Sequence, residues 1–294
     1  MLNGLLDPLG FEFMRNALAM GVLLGILCAV VGSYMIVQQM SMMGDMISHS
    51  VLAGLPVAVF LGLPLSIGAL VAGVISTIVL SGIESQSRLK IDSVMALVLA
   101  SFLAIGTTLV TVLPGANRID VMHVLFGNIL GVTRSDLILT FGITILILIA
   151  VWLFYKELLF YTFDPIGAQA GGMPVRWYYL GIVTAISLTV VANLQTVGVL
   201  LMIAMLVAPG MTAYLLVKEL HQMMVMGAGL GALSGIVGMY LSYYLDIPSG
   251  SAIVLVAFGL FLLAFLFSPS QGLLTQSEMK RQLADRLRGL TRSP

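Results

Sequence analysis

A chain of 294 residues with 60% hydrophobic residues, 9% charged residues and zero formal net charge is not an ordinary soluble domain, where about a quarter of residues carry charge. Nothing in that balance points to nucleic acid, and no nucleic-acid partner is expected. The class that remains is an all-α, polytopic integral membrane protein, with membrane lipid as the partner its composition implies.

About 20 apolar residues cross a bilayer as a helix, which predicts spans near 13–37, 43–62, 65–83, 93–113, 135–155, 177–194, 196–217, 222–244 and 249–268. The count is eight or nine transmembrane helices, depending on whether the second segment is broken. They form one membrane domain over residues 1–270, followed by a basic tail over 271–294. The first segment opens with Asp7 and Glu12 and runs too long for a secretory leader, so it is expected to be a retained helix. The sole cysteine, Cys28, follows a leucine in GILC, which argues against lipoprotein-type processing and leaves core packing as its role. Two sets of glycines at short spacing, Gly21/Gly25/Gly32 and Gly227/Gly231/Gly235, suit close helix packing.

The second span carries the chemistry. Between Arg15 and Glu84, Asp45 is the only Asp, Glu, Lys or Arg, and in MMGDMISHSVL (42–52) it is followed four residues later by His49. Residues i and i+4 share a helix face, and an ionisable group inside a membrane segment costs several kcal/mol and normally faces a cavity or pathway. Carboxylate oxygen plus imidazole nitrogen suits a divalent first-row ion. Two ligands are too few, but a two-fold homodimer would bring two Asp45 and two His49 to one axis. The plainer alternative is that Asp45, after Gly44, caps a helix beginning there, which leaves the imidazole unexplained. His123 and His221 are expected to be solvated or packing residues. The nearby Met40, Met42, Met43 and Met46 are expected to be packing, as in most of the 19 methionines.

Later in the chain, 114–132 is amphipathic and is expected to lie at the outer interface or dip into the membrane. The segment 161–177, YTFDPIGAQAGGMPVRW, is too polar to span. Asp164 suits a helix N-cap and Pro165 a first helical position, while Gly171, Gly172 and Pro174 end the helix within about two turns. Such a stub gains stability only by docking. The Ala-Pro pair at 208–209 is expected to interrupt an apolar helix, and DIPSG (246–250) to form an outward turn. Threading the spans alternately places Arg88, Lys90, Lys156, Arg176, Lys218, Lys280, Arg281, Arg286, Arg288 and Arg292 on one side, against Arg15, Arg118 and Arg134 on the other. The majority side is the cytoplasm, so the C-terminus is expected inside and the N-terminus outside.

The stretches GILCAVVGSYMIVQQMSMMGDMISHSVLAGLP (25–56), HVLFGNILGVT (123–133), FDPIGAQAGG (163–172), VGVLLMIAMLVAPGMTAYLL (197–216) and DIPSGSAIVL (246–255) resemble, in that order, the permease subunit of bacterial ABC importers for manganese, zinc or iron. The resemblance covers nearly the whole chain up to about residue 270. It implies a homodimer with a cytoplasmic ATPase subunit and an extracytoplasmic metal-binding protein, and it puts Asp45 and His49 in the metal pathway. It also makes 161–174 the coupling segment to the ATPase, with Asp164, Pro165, Gly167, Ala168, Ala170 and Gly171 as its contact residues. No GxxxxGK[ST] phosphate loop occurs, so this chain is expected not to be an enzyme. No permanently bound cofactor is expected, only the transported ion.

Zinc importers resembling this chain often carry a further His in the helix after the first cytoplasmic loop, where Ala100 and Ser101 stand here. That favours Mn²⁺, content with oxygen ligands and water, over Zn²⁺ or Fe²⁺. An intramembrane metalloenzyme would need an HExxH-like helix with a general base, and none occurs. A proton-coupled secondary carrier would bury several ionisable groups along a relay, whereas the first three spans bury one carboxylate.

Overall fold

The computed structural model describes residues 7–87, 89–115 and 127–268. Among them there is no strand, and nine helices are long and apolar enough to cross a bilayer. The first five spans are α1 (Glu12–Val37), α2 (Met43–Leu61), α3 (Leu65–Gln86), α4 (Ile91–Val112) and α5 (Arg134–Leu153). Two short helices follow, α6 (Tyr155–Phe163) and α7 (Pro165–Ala170), and then the spans α8 (Val175–Val197), α9 (Val199–Leu216), α10 (Leu220–Leu245) and α11 (Ser249–Phe267). Arg88, Arg118, His123, most of 114–132 and the whole tail lie outside the described residues.

The second segment is a single helix with Pro56 inside it. The break expected at 208–209 does not occur either, because α9 runs through Pro209 to Leu216. In a bilayer no water takes up freed backbone groups, so a helix continues past a proline wherever its neighbours pack around the fault. The turn between the sixth and seventh spans falls instead at Gly198, whose φ of 85° lies in the region glycine adopts most readily. A second departure is α6, which carries helical structure on to Phe163, past residue 155 where the fifth span was expected to end.

α1 is the central post, packed chiefly on α10 and α9. Two members of each glycine set meet in antiparallel register, Gly21 opposite Gly235 and Gly25 opposite Gly231, whereas Gly32 lies against Leu206 of α9 and Gly227 against Ala29. The approach is so close that a Cβ on Gly231 would lie 2.6 Å from the Gly25 carbonyl oxygen. Small residues allow such contact where lipid gives no hydrophobic drive to association. Gly231→Ala should therefore cost about 1–3 kcal/mol, as overpacking usually does. Gly229→Ala should be nearly silent, since its Cβ would meet nothing within 4 Å. Thermal unfolding of the two variants in detergent checks this: equal midpoints would contradict the packing account.

α2, α3 and α4 form a second cluster, joined to the first mainly by α8. Buried polar side chains fasten α8: Thr140 Oγ1 donates to Asn193 Oδ1 at 2.7 Å, and Asn193 Nδ2 donates to the Thr189 carbonyl at 2.9 Å. Cys28 is fully buried, as a packing residue should be. The helix order places Lys90, Lys156, Arg176 and Lys218 at one end of the bundle and Arg15 and Arg134 at the other.

Candidate metal site

α2 starts at Met43 because the chain has just turned. Gln39 takes a left-handed φ of 59°, and the Met40 amide donates back to the Met35 carbonyl at 2.8 Å, closing the end of α1. The N-cap of α2 is Met42, which makes no side-chain cap. Asp45 is thus the third helical residue, and the N-cap position that the plainer alternative would give it is held by Met42. Its carboxylate still lies in the first turn, where the helix dipole favours negative charge by about 0.3–1 kcal/mol.

One turn later, His49 Nε2 stands 3.3 Å from Asp45 Oδ1. Ligand bonds of about 2.1 Å hold two neighbouring donors roughly 3.0 Å apart at a right angle and 3.4 Å at a tetrahedral one, so the observed separation already fits a shared ion. The other imidazole nitrogen, Nδ1, is buried and has no hydrogen-bond partner among the described residues. Most of α2 is covered: Met43, Met46, Ile47, Ser48, Ser50 and Val51 are buried. Asp45 and His49 stay half-exposed beside them, with side chains 31% and 25% exposed, whereas residues 50–56 are all buried and the helix is exposed again only at Val57 and Phe60. Among the described residues no group of three or more His, Cys, Asp or Glu could hold a metal. Met40, Met43 and Met46 turn into the core, and only Met42 of the four is exposed. His221, expected in a turn, is the second residue of α10 and lies 3.3 Å from Glu219 at the N-cap of that helix, far along the chain from the pair.

The expected stub is α7. Asp164 caps it, its Oδ1 accepting from the Gly167 amide at 2.8 Å, and Pro165 opens it. Gly167 must lack a side chain, because a Cβ there would run into the capping carboxylate. Gly171 follows as C-cap, Gly172 adopts φ 81°, and the Met173 amide closes on the Ala168 carbonyl at 3.0 Å. Asp164, Pro165, Ala170 and Gly171 are exposed and Gly167 is part-buried. Ala168 is fully buried, so it anchors the knob instead of facing a partner. Sequence reasoning missed the apolar tip: Ile166 is 80% exposed and Phe163 61%. An isoleucine flanked by a cap and two glycines was the available signal.

The knob is tied into the bundle through α6. Tyr161 stacks on Tyr178 with ring centres 6.5 Å apart, and burial together with the nearby Glu84 carboxylate pushes its phenol up to about 12, so it stays neutral. Gln38, in the turn that leads into α2, donates from Nε2 to Thr162 Oγ1 at 3.3 Å. The Asp45–His49 pair and the knob therefore lie toward the same end of the molecule.

The model of the ABC 3 transport family matches residues 10–268. The "Manganese transport system membrane protein MntC" of Halalkalibacterium halodurans is 44% identical over 268 residues, covering 91% of each chain. The "Probable iron transport system membrane protein" of Haemophilus influenzae is 39% identical over 278 residues, covering 95% of this chain and 98% of that one. Among solved structures, one titled "PsaBC from Streptococcus pneumoniae in complex with Fab" aligns with a TM-score of 0.81 at 38% identity, over 92% of this chain and 98% of the other.

Proposed function

Because the chain belongs to the ABC 3 transport family, we propose that it is the membrane-spanning subunit of an ATP-driven importer that carries a divalent transition-metal ion, Mn²⁺ first, across the bacterial inner membrane. The observation that carries this is the pair at the start of α2, where a carboxylate and an imidazole stand 3.3 Å apart and keep 31% and 25% of their side-chain surface open. Lipid is no solvent for a carboxylate, so that open patch must face protein or water. A second copy of the chain supplies both: two Asp45 and two His49 across a two-fold axis make a four-donor site whose charges neutralise a dication. Manganese is favoured by the manganese systems among the relatives and by Ala100 and Ser101 where zinc importers often carry a histidine. The iron-system relative keeps Fe²⁺ as the second choice.

In this reading the chain hydrolyses no ATP itself. The knob, with its exposed Ile166 and Phe163, seats in a cytoplasmic ATPase subunit, and an extracytoplasmic metal-binding protein delivers the ion at the other end. The basic tail over 271–294 then lies in the cytoplasm and the N-terminus outside. Proteoliposomes test the whole reading. The purified chain alone should hydrolyse no ATP and accumulate no ⁵⁴Mn²⁺, and adding the ATPase and the binding protein should give ATP-dependent uptake. Accumulation by the chain alone down a proton gradient would replace this reading with a secondary carrier.

A further inference from the structure

At the knob end of the bundle a crevice of about 370 Å³ opens between α1, α5, α6 and α8. Its walls are almost wholly apolar, with Ile147 and Val151 on α5, Leu158 on α6 and Gly181 on α8. A packed membrane domain rarely leaves such a space empty, because its lining would lose contacts on one side. Two polar features interrupt the apolar wall. The Tyr34 side chain, 2% exposed, lines the crevice, and its buried hydroxyl has no hydrogen-bond partner among the described residues. A buried donor left unmade is costly. At the mouth stands Trp177, 73% exposed, the residue type that marks the membrane interface. Next to it in sequence, outside the crevice wall itself, is Arg176, exposed and forming no ion pair among the described residues.

Depth and chemistry agree on one occupant. Tyr34 is three residues from the end of α1 and Trp177 two residues into α8, so the orphan hydroxyl lies about one helical turn inside the interface, at the level of a lipid's ester groups. We propose that the crevice binds one anionic phospholipid: an acyl chain along Ile147, Val151 and Leu158, an ester carbonyl accepting from Tyr34, and the phosphate at Arg176. Basic pockets between transmembrane helices on the cytoplasmic side take such headgroups. The crevice walls include α6 and the start of α8, the two supports between which α7 hangs. The lipid therefore braces the base of the knob.

Native mass spectrometry of the full-length protein, delipidated and then offered phosphatidylglycerol or phosphatidylcholine, tests this directly. One phosphatidylglycerol per chain should be retained, about fivefold in preference to phosphatidylcholine, the discrimination one arginine near an anionic surface gives. Arg176→Gln should erase the preference and keep a lipid. Gly181→Leu should expel it, since a Cβ at Gly181 meets nothing within 4 Å and the added side chain enters the crevice without a backbone clash. Should Gly181→Leu fail to fold, Tyr34→Phe serves instead, with retention expected to fall severalfold. In Trp152→Phe protein, Trp177 is the sole tryptophan, and chain-brominated phosphatidylglycerol should quench it at a lower mole fraction than the phosphatidylcholine analogue. No retained lipid, equal retention of both headgroups by the wild-type chain, or undiminished retention in both crevice variants would overturn the proposal. So would a crevice that takes lipid only after residues 269–294 are removed, since the tail would then be the occupant.

Discussion

Asp45→Asn is expected to lower manganese uptake by roughly a hundredfold or more while the protein still reaches the membrane. Asparagine keeps the size and one oxygen but removes a charge from each subunit of the proposed dimer. Leaving a buried ion without its counter-charge costs about 3–5 kcal/mol, and each 1.4 kcal/mol is tenfold in an equilibrium. If Asp45 served only the helix start, the loss would be the dipole contribution of about 0.3–1 kcal/mol, and uptake would stay within a few-fold of wild type. ⁵⁴Mn²⁺ uptake in cells lacking the native gene, complemented by the variant at matched expression, separates the two outcomes. His49→Ala should behave like Asp45→Asn.

Ile166→Glu should separate ATP hydrolysis from transport. In the proposed assembly this side chain is an apolar anchor at the tip of a rigid knob, and truncating or charging such an anchor costs about 2 kcal/mol or more of binding. Uptake should drop at least about thirtyfold, with metal-binding-protein stimulation of the ATPase lost and folding unchanged. Ala170→Arg, on the exposed side of α7, should do the same. Ala168→Arg would be a poor test, because Ala168 is fully buried and the knob itself would be disrupted. Uptake by Ile166→Glu at the wild-type rate would remove the coupling role from 161–174.

The nine spans were legible because a bilayer imposes one dominant rule, a run of about 20 apolar residues. That rule is silent about neighbours. Nothing in the one-dimensional pattern says that Gly25 meets Gly231 or that Asn193 receives a bond from Thr140, since both depend on contacts between helices far apart in sequence. The prolines misled for a related reason. In water Pro209 would end a helix, whereas here the packed surroundings keep α9 intact. The Asp45–His49 pair was readable because a charge in an apolar span is expensive enough to demand a use. Which partner would complete it was not, because that requires seeing that Asp45 and His49 stay half-exposed on a helix whose next seven residues are all buried. The knob's caps were written plainly in DPIGAQAGG, but the inward turn of Ala168 depends on how α7 lies against its neighbours.

The hydrogen bond from Gln38 to Thr162 makes the turn between α1 and α2 a transmission joint with a weak pin. One neutral hydrogen bond is worth about 0.5–1.5 kcal/mol net, so the bias it passes between knob and ion is bounded at about tenfold. Linkage runs both ways: whatever factor an occupied pair applies to the knob's preferred position, the seated knob must return to ion affinity. In the proposed assembly a joint of that strength slips, so some ATP turnovers would move no metal. Gln38, seven residues from Asp45 and outside both the proposed ion site and the proposed docking tip, is in that assembly a residue whose change should alter the number of ATP molecules used per ion more than the choice of ion.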